Sequence, residues 1–314
     1  MPSMTIAILC SGQGAQSAGM FTLLADAPAA APVFAAAKIA LERTDPRDLV
    51  QQASSAAFHA NKLGQILCCT QALAAWAVIN DRLPRPLVVA GYSVGELAAW
   101  GIAGLLDMPA VLALAVERAA VMDAATLEPS GLAAVRGLSQ AVLEKLCHGH
   151  SCFIAIVNAP DQMLVGGTHP ALAALIANAQ TAGAAHTVLL PVAVASHTPL
   201  LATASRIFGE KLAAAPIRDG LPEGIRLLSG IDGAPVFDVA AGAAKLARQI
   251  QQTVDWAACM DNIRSSTVSK VIELGPGSAL AHMMRDEMPE ADVHSLAEFH
   301  SLVGFMHWIG QRKS

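Results

Sequence analysis

Apolar and polar positions along this chain fall into blocks that read as strand, turn and helix. Thr5 to Cys10 is a short apolar run suited to a buried strand, and the polar turn "SGQGAQ" follows it at once. Helical patterning runs through the alanine-rich region that follows, including Leu63 to Leu83. Val88 to Ala90 is a second buried strand, and helices continue from Glu96 to about Ala125. The middle of the chain changes character. Gly131 to Arg136 reads as a strand, and Ser139 to Cys147 as a helix with Ser139 as its N-cap. Phe153 to Val157 and Met163 to Val165 read as strands joined through "NAPDQ". Pro170 to Ala182 is a helix stopped by Gly183, and His186 to Leu190 is a further strand. That order, βαββαβ, is the ferredoxin-like arrangement. The remainder alternates again and ends in "VIELGPGSAL", a strand, a glycine-proline turn and a helix start. The pattern predicts an α/β fold with a mainly parallel sheet, a large core over 1–129 and 193–314, and a small subdomain inserted over 130–192.

Between the second strand and its helix stands Gly91-Tyr92-Ser93-Val94-Gly95, a G-x-S-x-G pattern. Such a turn strains the backbone, leaves little room for side chains and lifts the serine hydroxyl into a cleft. Ser93 is therefore a candidate nucleophile, although a five-residue pattern also suits an ordinary glycine-lined turn.

Composition narrows the classes. The 314 residues carry a net charge of −5 with no long run of either sign, which argues against nucleic-acid binding. Leu97 to Val116 is apolar apart from Asp107, but Asp107 and Pro109 break it into two buried helices rather than a membrane span. No basic residue precedes Lys38, against a secretory signal, and six cysteines in a chain this long do not form a disulfide framework. A soluble cytoplasmic protein is expected.

A serine nucleophile needs a base, and histidine serves near neutral pH. Of ten histidines, His197 in "VAVASHTPLL" is the best placed, where the chain re-enters the large domain. A hydrogen-bonded structural histidine is the alternative. The Val94 N–H, after the nucleophile, can serve a developing oxyanion, and "SGQGAQ" can supply a second donor. That turn lacks the third glycine of a dinucleotide loop, where Ser17 stands, and the Gly-Lys of a P-loop. Arg118 lies in the mostly apolar "MPAVLALAVERAAVMDAA", either as a paired structural residue or as a fork for a carboxylate. The run "CHGHSC" (Cys147 to Cys152) has no second ligand pair at zinc spacing, and no metal is expected.

Taken in order, "GQGAQ", "TQALAAW", "GYSVGE", "ERAAVM", "NAPDQMLVGG", "ASHTPLL", "RQIQQTVDW" and "ELGPG" resemble the malonyl-CoA:acyl-carrier-protein transacylase family over nearly the whole chain. The resemblance implies an α/β-hydrolase-like core with the inserted ferredoxin-like subdomain. It implies Ser93 as nucleophile, His197 as base and acid, and the backbone carbonyl of Gln249 as the group that orients His197. It further implies an oxyanion hole from the N–H groups of Gln13 and Val94, and Arg118 as the grip on a malonyl carboxylate. Gln71 and Asn158 are the remaining implied substrate contacts. The implied reaction is ping-pong, from a coenzyme A thioester to the prosthetic-group thiol of an acyl carrier protein, with no cofactor bound by this chain.

Two departures bear on the partner. Tyr92 stands where most of the family has histidine, and Ala72 where it has proline. Tyr92, "GYSVGELAAWGIAGLL" and "FHSLVGFMHWIG" look most like the epsilon subunit of malonate decarboxylase. That likeness implies a malonyltransferase that primes the decarboxylase's own carrier subunit, and a monomer that docks transiently is expected. The alternatives are the transacylase of fatty-acid synthesis, a serine hydrolase on the same elbow, and a non-enzymatic scaffold.

Overall fold

The computed structural model describes residues 5–311. It contains ten strands, β1 (Thr5–Cys10), β2 (Leu87–Gly91), β3 (Ser130–Arg136), β4 (Phe153–Ala159), β5 (Gln162–Thr168), β6 (His186–Leu189), β7 (Ile225–Leu227), β8 (Val254–Asp255), β9 (Val268–Leu274) and β10 (Asp292–Ser295). They form two five-stranded sheets. The first, in the order β10-β9-β1-β2-β7, is parallel throughout. β1 lies at its centre, buried on both faces: Ile6, Ile8 and Cys10 pack into one hydrophobic cluster, Ala7 and Leu9 into another. This explains why the run carries no polar alternation.

Register sets the site. Cys10 pairs with Gly91 on one side and Leu274 on the other, so β1, β2 and β9 end at the same edge. Ligands of open α/β sheets bind outside that carboxyl edge. Three loops gather there: Ser11 to Gln16, the turn around Ser93, and Gly275 to Ser278. Glu273 clamps two of them, since its buried carboxyl accepts from the Ser11 hydroxyl at 2.7 Å and from the Ala281 N–H at 2.7 Å. The "ELGPG" run thus ties the loop after β1 to the start of the helix Ala279–Glu287.

The second sheet runs β6-β3-β5-β4-β8, with strand β6 antiparallel to β3, β3 to β5 and β5 to β4. That is the ferredoxin-like order. Helices Gln140–His150 and His169–Thr181 cover one face, around Leu143, Leu172 and Leu175. Leu132, Ala155 and Ile156 on the other face share a cluster with Trp256 and Met260. β8 comes from the later part of the chain and pairs parallel with β4, which extends the sheet toward the larger body.

Local differences from the sequence reading have simple causes. β4 and β5 absorb most of "NAPDQ", leaving Pro160 and Asp161 as a two-residue turn, because the hairpin ladder continues to the Ala159–Gln162 pair. Ser139 takes N-cap backbone angles (φ −67°, ψ 153°) but its side chain makes no capping hydrogen bond. The expected helix Leu63 to Leu83 is Asn61–Ile79 followed by a 3-10 turn over Asn80–Arg82. Leu97 to Val116 divides between helices Gly95–Ile102 and Met108–Ala125, with Asp107 capping the second through the Ala110 N–H. Among the described residues one helical run, Asn61–Arg82, is long and apolar enough to cross a membrane, and 72% of its apolar window is buried within this fold. Of the N-terminal stretch "MPSMTIAILC", the first four residues lie outside those described.

Candidate active site

Ser93 sits between β2 and the helix Gly95–Ile102 with φ 55°, a left-handed backbone that a residue with a side chain adopts only where surroundings enforce it. The glycines make the turn possible. A Cβ on Gly95 would run into the carbonyl of Cys10, and one on Gly91 into the backbone of Gly95 and Glu96. The serine hydroxyl is thereby projected from the carboxyl edge of the sheet.

His197 meets it there. Its Nε2 lies 2.7 Å from Ser93 Oγ, and its Nδ1 lies 2.6 Å from the backbone carbonyl of Gln249. A carbonyl can only accept, so Nδ1 carries the proton and Nε2 is left to accept from the serine. The ring is held from behind as well, since the His197 N–H donates to the Ile250 carbonyl at 2.8 Å and φ at His197 is 63°. Burial, and secondarily the nearby Arg118 cation, push the imidazole down to about 3, while the Gln249 carbonyl pulls the other way. The resting ring is neutral.

The backbone N–H groups of Gln13 and Val94 face no backbone acceptor among the described residues. Each belongs to a peptide whose carbonyl is tied down on the opposite side. The Ser93 carbonyl accepts from the Glu96 N–H at 3.0 Å and from Gln249 Nε2 at 3.3 Å. The Gly12 carbonyl accepts from the Cys68 thiol at 3.3 Å. In a trans peptide the N–H points away from its carbonyl, so both donors are turned away from these anchors.

Arg118 is 1% exposed on the helix Met108–Ala125. Its Nη1 donates to Gln65 Oε1 at 2.8 Å and its Nη2 to Gln249 Oε1 at 3.2 Å, while Nε has no partner. Among the described residues no carboxylate lies within ion-pairing distance of it. The neighbouring Glu117 pairs instead with Lys211 at 3.2 Å. Burial pushes the guanidinium down to about 10. A buried, neutral-lined cation with an unused donor is suited to an incoming anion.

Asn158 on β4 accepts from the Tyr92 hydroxyl at 3.1 Å, and the Tyr92 ring packs edge-on against Trp256 at 5.3 Å. The elbow is thereby joined to the second sheet. Gln71 is placed elsewhere: its amide donates to the Met20 carbonyl at 2.8 Å. It lies six residues past Gln65, about 120° around the same helix, so the two glutamines face different neighbours.

Several polar residues escape the sequence reading. Gln65 holds Arg118, and its own Nε2 donates to Asn61 Oδ1 at 2.7 Å; Gln13 Nε2 reaches the same oxygen at 3.3 Å. Asn61 and Gln65 stand four apart on one face of a mostly apolar helix, and that spacing was the available signal. Glu96, 1% exposed, accepts from Gln249 Nε2 and from the Gly230 N–H at 3.1 Å. Burial raises its carboxyl to about 8.

The "CHGHSC" residues lie around the end of the helix Gln140–His150, where Cys147, His148, Ser151 and Cys152 line one side of a groove that reaches His197. Cys147 and Cys152 are buried thiols raised to about 12 and about 11, and His150 bonds Asn178 at 2.7 Å. No group of three or more His, Cys, Asp or Glu is arranged for a metal among the described residues. A groove of about 790 Å³ runs between this helix and residues 251–253, and His197 forms part of its wall.

Comparison with known proteins bears on the family and the fold. Residues 8–307 match the acyl transferase domain. The malonyl CoA-acyl carrier protein transacylase of Mycobacterium bovis is 33% identical over 304 residues, covering 95% of this chain and 99% of the relative. The enzyme of that name from Salmonella typhimurium is 30% identical over 286 residues, 89% of this chain and 91% of its own length. Among solved structures, MCAT from Mycobacterium tuberculosis superposes with a TM-score of 0.88 at 30% identity, covering 98% of this chain and 100% of that one. The acyl-carrier-protein S-malonyltransferase of Burkholderia pseudomallei also gives 0.88, at 29% identity and 97% and 100% coverage. With matches along nearly its whole length, the chain belongs to the acyl transferase domain family, alongside the malonyl CoA-acyl carrier protein transacylases, and is an acyltransferase.

Proposed function

We propose that this chain transfers a malonyl group from malonyl-CoA to the thiol of an acyl carrier protein through an ester on Ser93. The observation that carries the reading is the Ser93–His197–Gln249 carbonyl chain beside a buried arginine that has no carboxylate partner among the described residues. His197 Nε2 takes the Ser93 proton as Oγ attacks the thioester carbonyl. The oxyanion that forms is met by the Gln13 and Val94 N–H groups. When the carbon–sulfur bond breaks, His197 returns the proton to the coenzyme A sulfur. The carrier thiol then gives its proton to His197, attacks the seryl ester and leaves with the acyl group, restoring Ser93 Oγ–H. Arg118 pairs with the free malonyl carboxylate, which an acetyl group lacks. A site built around a buried donor discriminates strongly against a substrate that leaves it unpaired. The subdomain over 130–192 walls the cleft and limits hydrolysis of the ester.

The carrier expected first from the sequence was that of malonate decarboxylase. The named relatives are malonyl CoA-acyl carrier protein transacylases, which favours the general transacylase of fatty-acid synthesis over a decarboxylase subunit. The decarboxylase carrier is kept as a second acceptor on the sequence likeness around Tyr92 alone.

Intact mass after mixing with malonyl-CoA, with acetyl-CoA and a Ser93→Ala control alongside, tests the chemistry. The expected result is a malonyl adduct on the native protein, absent from the variant and much weaker with acetyl-CoA. Free malonate without an adduct points to a hydrolase, and neither product overturns the reading. The epsilon-subunit likeness implies a carrier that bears a modified dephospho-CoA instead of ordinary phosphopantetheine, so transfer from the loaded enzyme to each kind of carrier separates the two acceptors.

A further inference from the structure

The side chain of Gln249 is a junction between the base and the acyl selector. Its Oε1 accepts from Arg118 Nη2 at 3.2 Å, and its Nε2 donates to the Ser93 carbonyl at 3.3 Å and to Glu96 Oε2. An amide can sit in two orientations that exchange oxygen and nitrogen. Only one offers an acceptor to the guanidinium; the other sets NH₂ against N–H and leaves both unpaired in a buried site. Glu96 decides between them. Its Oε2 can only accept from Nε2, and it is itself fixed by the Gly230 N–H at 3.1 Å. This holds whether or not a proton resides on Oε1, which has no partner. Glu96 is buried in the first turn of the elbow helix, three residues after Ser93. Packing alone gives no reason for a carboxyl there, since an apolar side chain of that size costs less to bury.

We infer that Glu96 is a positioning residue for acyl selection, fixing the orientation of the Gln249 amide so that Arg118 is held ready for the acyl carboxylate. The inference rests on the malonyl-transfer reading above. Glu96 touches neither the acyl group nor the reacting atoms. Its influence runs through Gln249, to Arg118 by the side chain and to the Ser93 carbonyl beside the Val94 N–H.

The test uses the full chain and reads the rate of Ser93 labelling by malonyl-CoA and by acetyl-CoA. Glu96→Leu is expected to lower the malonyl-over-acetyl preference at least about ten-fold, one hydrogen bond to a charged group. Glu96→Gln, whose amide oxygen can accept the same two bonds, is expected to stay within about three-fold of the native preference. A purely structural role would lower both acyl rates together and leave the ratio alone. Folded Glu96→Leu protein with native preference overturns the inference whatever its rate, as does a Glu96→Gln protein as unselective as Glu96→Leu. Should Glu96→Leu fail to fold, Gln249→Leu decides, because it keeps the backbone carbonyl and removes the amide. Loss of preference there supports the relay, and native preference overturns it. If the native protein takes no malonyl label at all, the transferase reading falls and this inference with it.

Discussion

His197 Nδ1 and the Gln249 backbone carbonyl lie 2.6 Å apart, in the place where a serine triad sets a carboxylate. A carbonyl fixes the tautomer but brings no full negative charge to stabilise an imidazolium. Together with burial this leaves the ring neutral in the resting enzyme. The rate of Ser93 labelling at low malonyl-CoA is therefore expected to show no acid limb near 6.5, the ordinary histidine value, and to stay level down to about pH 5. Rapid-quench labelling from pH 5 to 8 measures it, and a limb centred near 6.5 would show an imidazole that titrates normally.

Arg118 acts on the same ring at a distance. Its cation is the second cause of the lowered His197 value, after burial. A carboxylate paired with Arg118 would offset that charge and make His197 a stronger base only when the acyl group carries one. Arg118→Met should then do two things. Malonyl labelling is expected to fall about 30- to 150-fold, the loss of about 2–3 kcal/mol of charged hydrogen bonding, with acetyl labelling little changed. The His197 titration, followed by NMR, is expected to move upward. A fall in both acyl rates with no shift in the titration would place Arg118 outside the acyl site.

Stability should depend on pH with two opposing slopes. His197 is held down at about 3, so below 6.5 the unfolded chain takes up a proton that the native state refuses, and stability declines toward pH 3. Glu96 and Glu273 are raised to about 8 and about 7 by burial. Above 4.5 the unfolded chain gives up their protons while the native state keeps them, so their stabilisation is lost as pH rises through 7 and 8. Glu96→Gln removes one of these titrations. Its Tm is expected to fall less than the native Tm between pH 5.5 and 8.5, measured by calorimetry in matched salt. Parallel Tm curves would mean that Glu96 does not titrate in that range.

The elements that carry the site were legible because each depends on short-range chemistry. The elbow needs glycines at 91 and 95, and the βαββαβ order is written in local periodicity. The partners of Arg118 were not legible in that way. Its hydrogen bonds run to Gln65 and Gln249, 53 and 131 residues away, and no pattern within a window of twenty links them. In the sequence Glu96 marks only the start of a helix, and only the fold shows that the Gly230 N–H reaches its carboxyl. Gln71 illustrates the converse. A motif placed it near substrate, but helical phase turns its amide to Met20.

The elbow's dependence on glycine gives a paired test of how tightly the loops around Ser93 are packed. A Cβ at Gly95 would press on the carbonyls of Cys10 and Ser11, at the end of β1 and the start of the loop Ser11 to Gln16. Backbone cannot yield there without shifting the strand, whose register with β2 and β9 is fixed through Cys10. Gly95→Ala is therefore expected to cost more than about 3 kcal/mol, near the upper end for overpacking, and to abolish Ser93 labelling even in soluble protein. Gly149, inside the helix Gln140–His150, has nothing within 4 Å of the place an added methyl would occupy. Gly149→Ala removes only backbone freedom and is expected to stabilise by about 0.5–1 kcal/mol with unchanged labelling. Thermal melts and labelling rates of the two variants check both halves. A tolerated alanine at 95 would mean that β1 and the elbow helix can separate, and that Ser93 is held by His197 and Gln249 rather than by the turn.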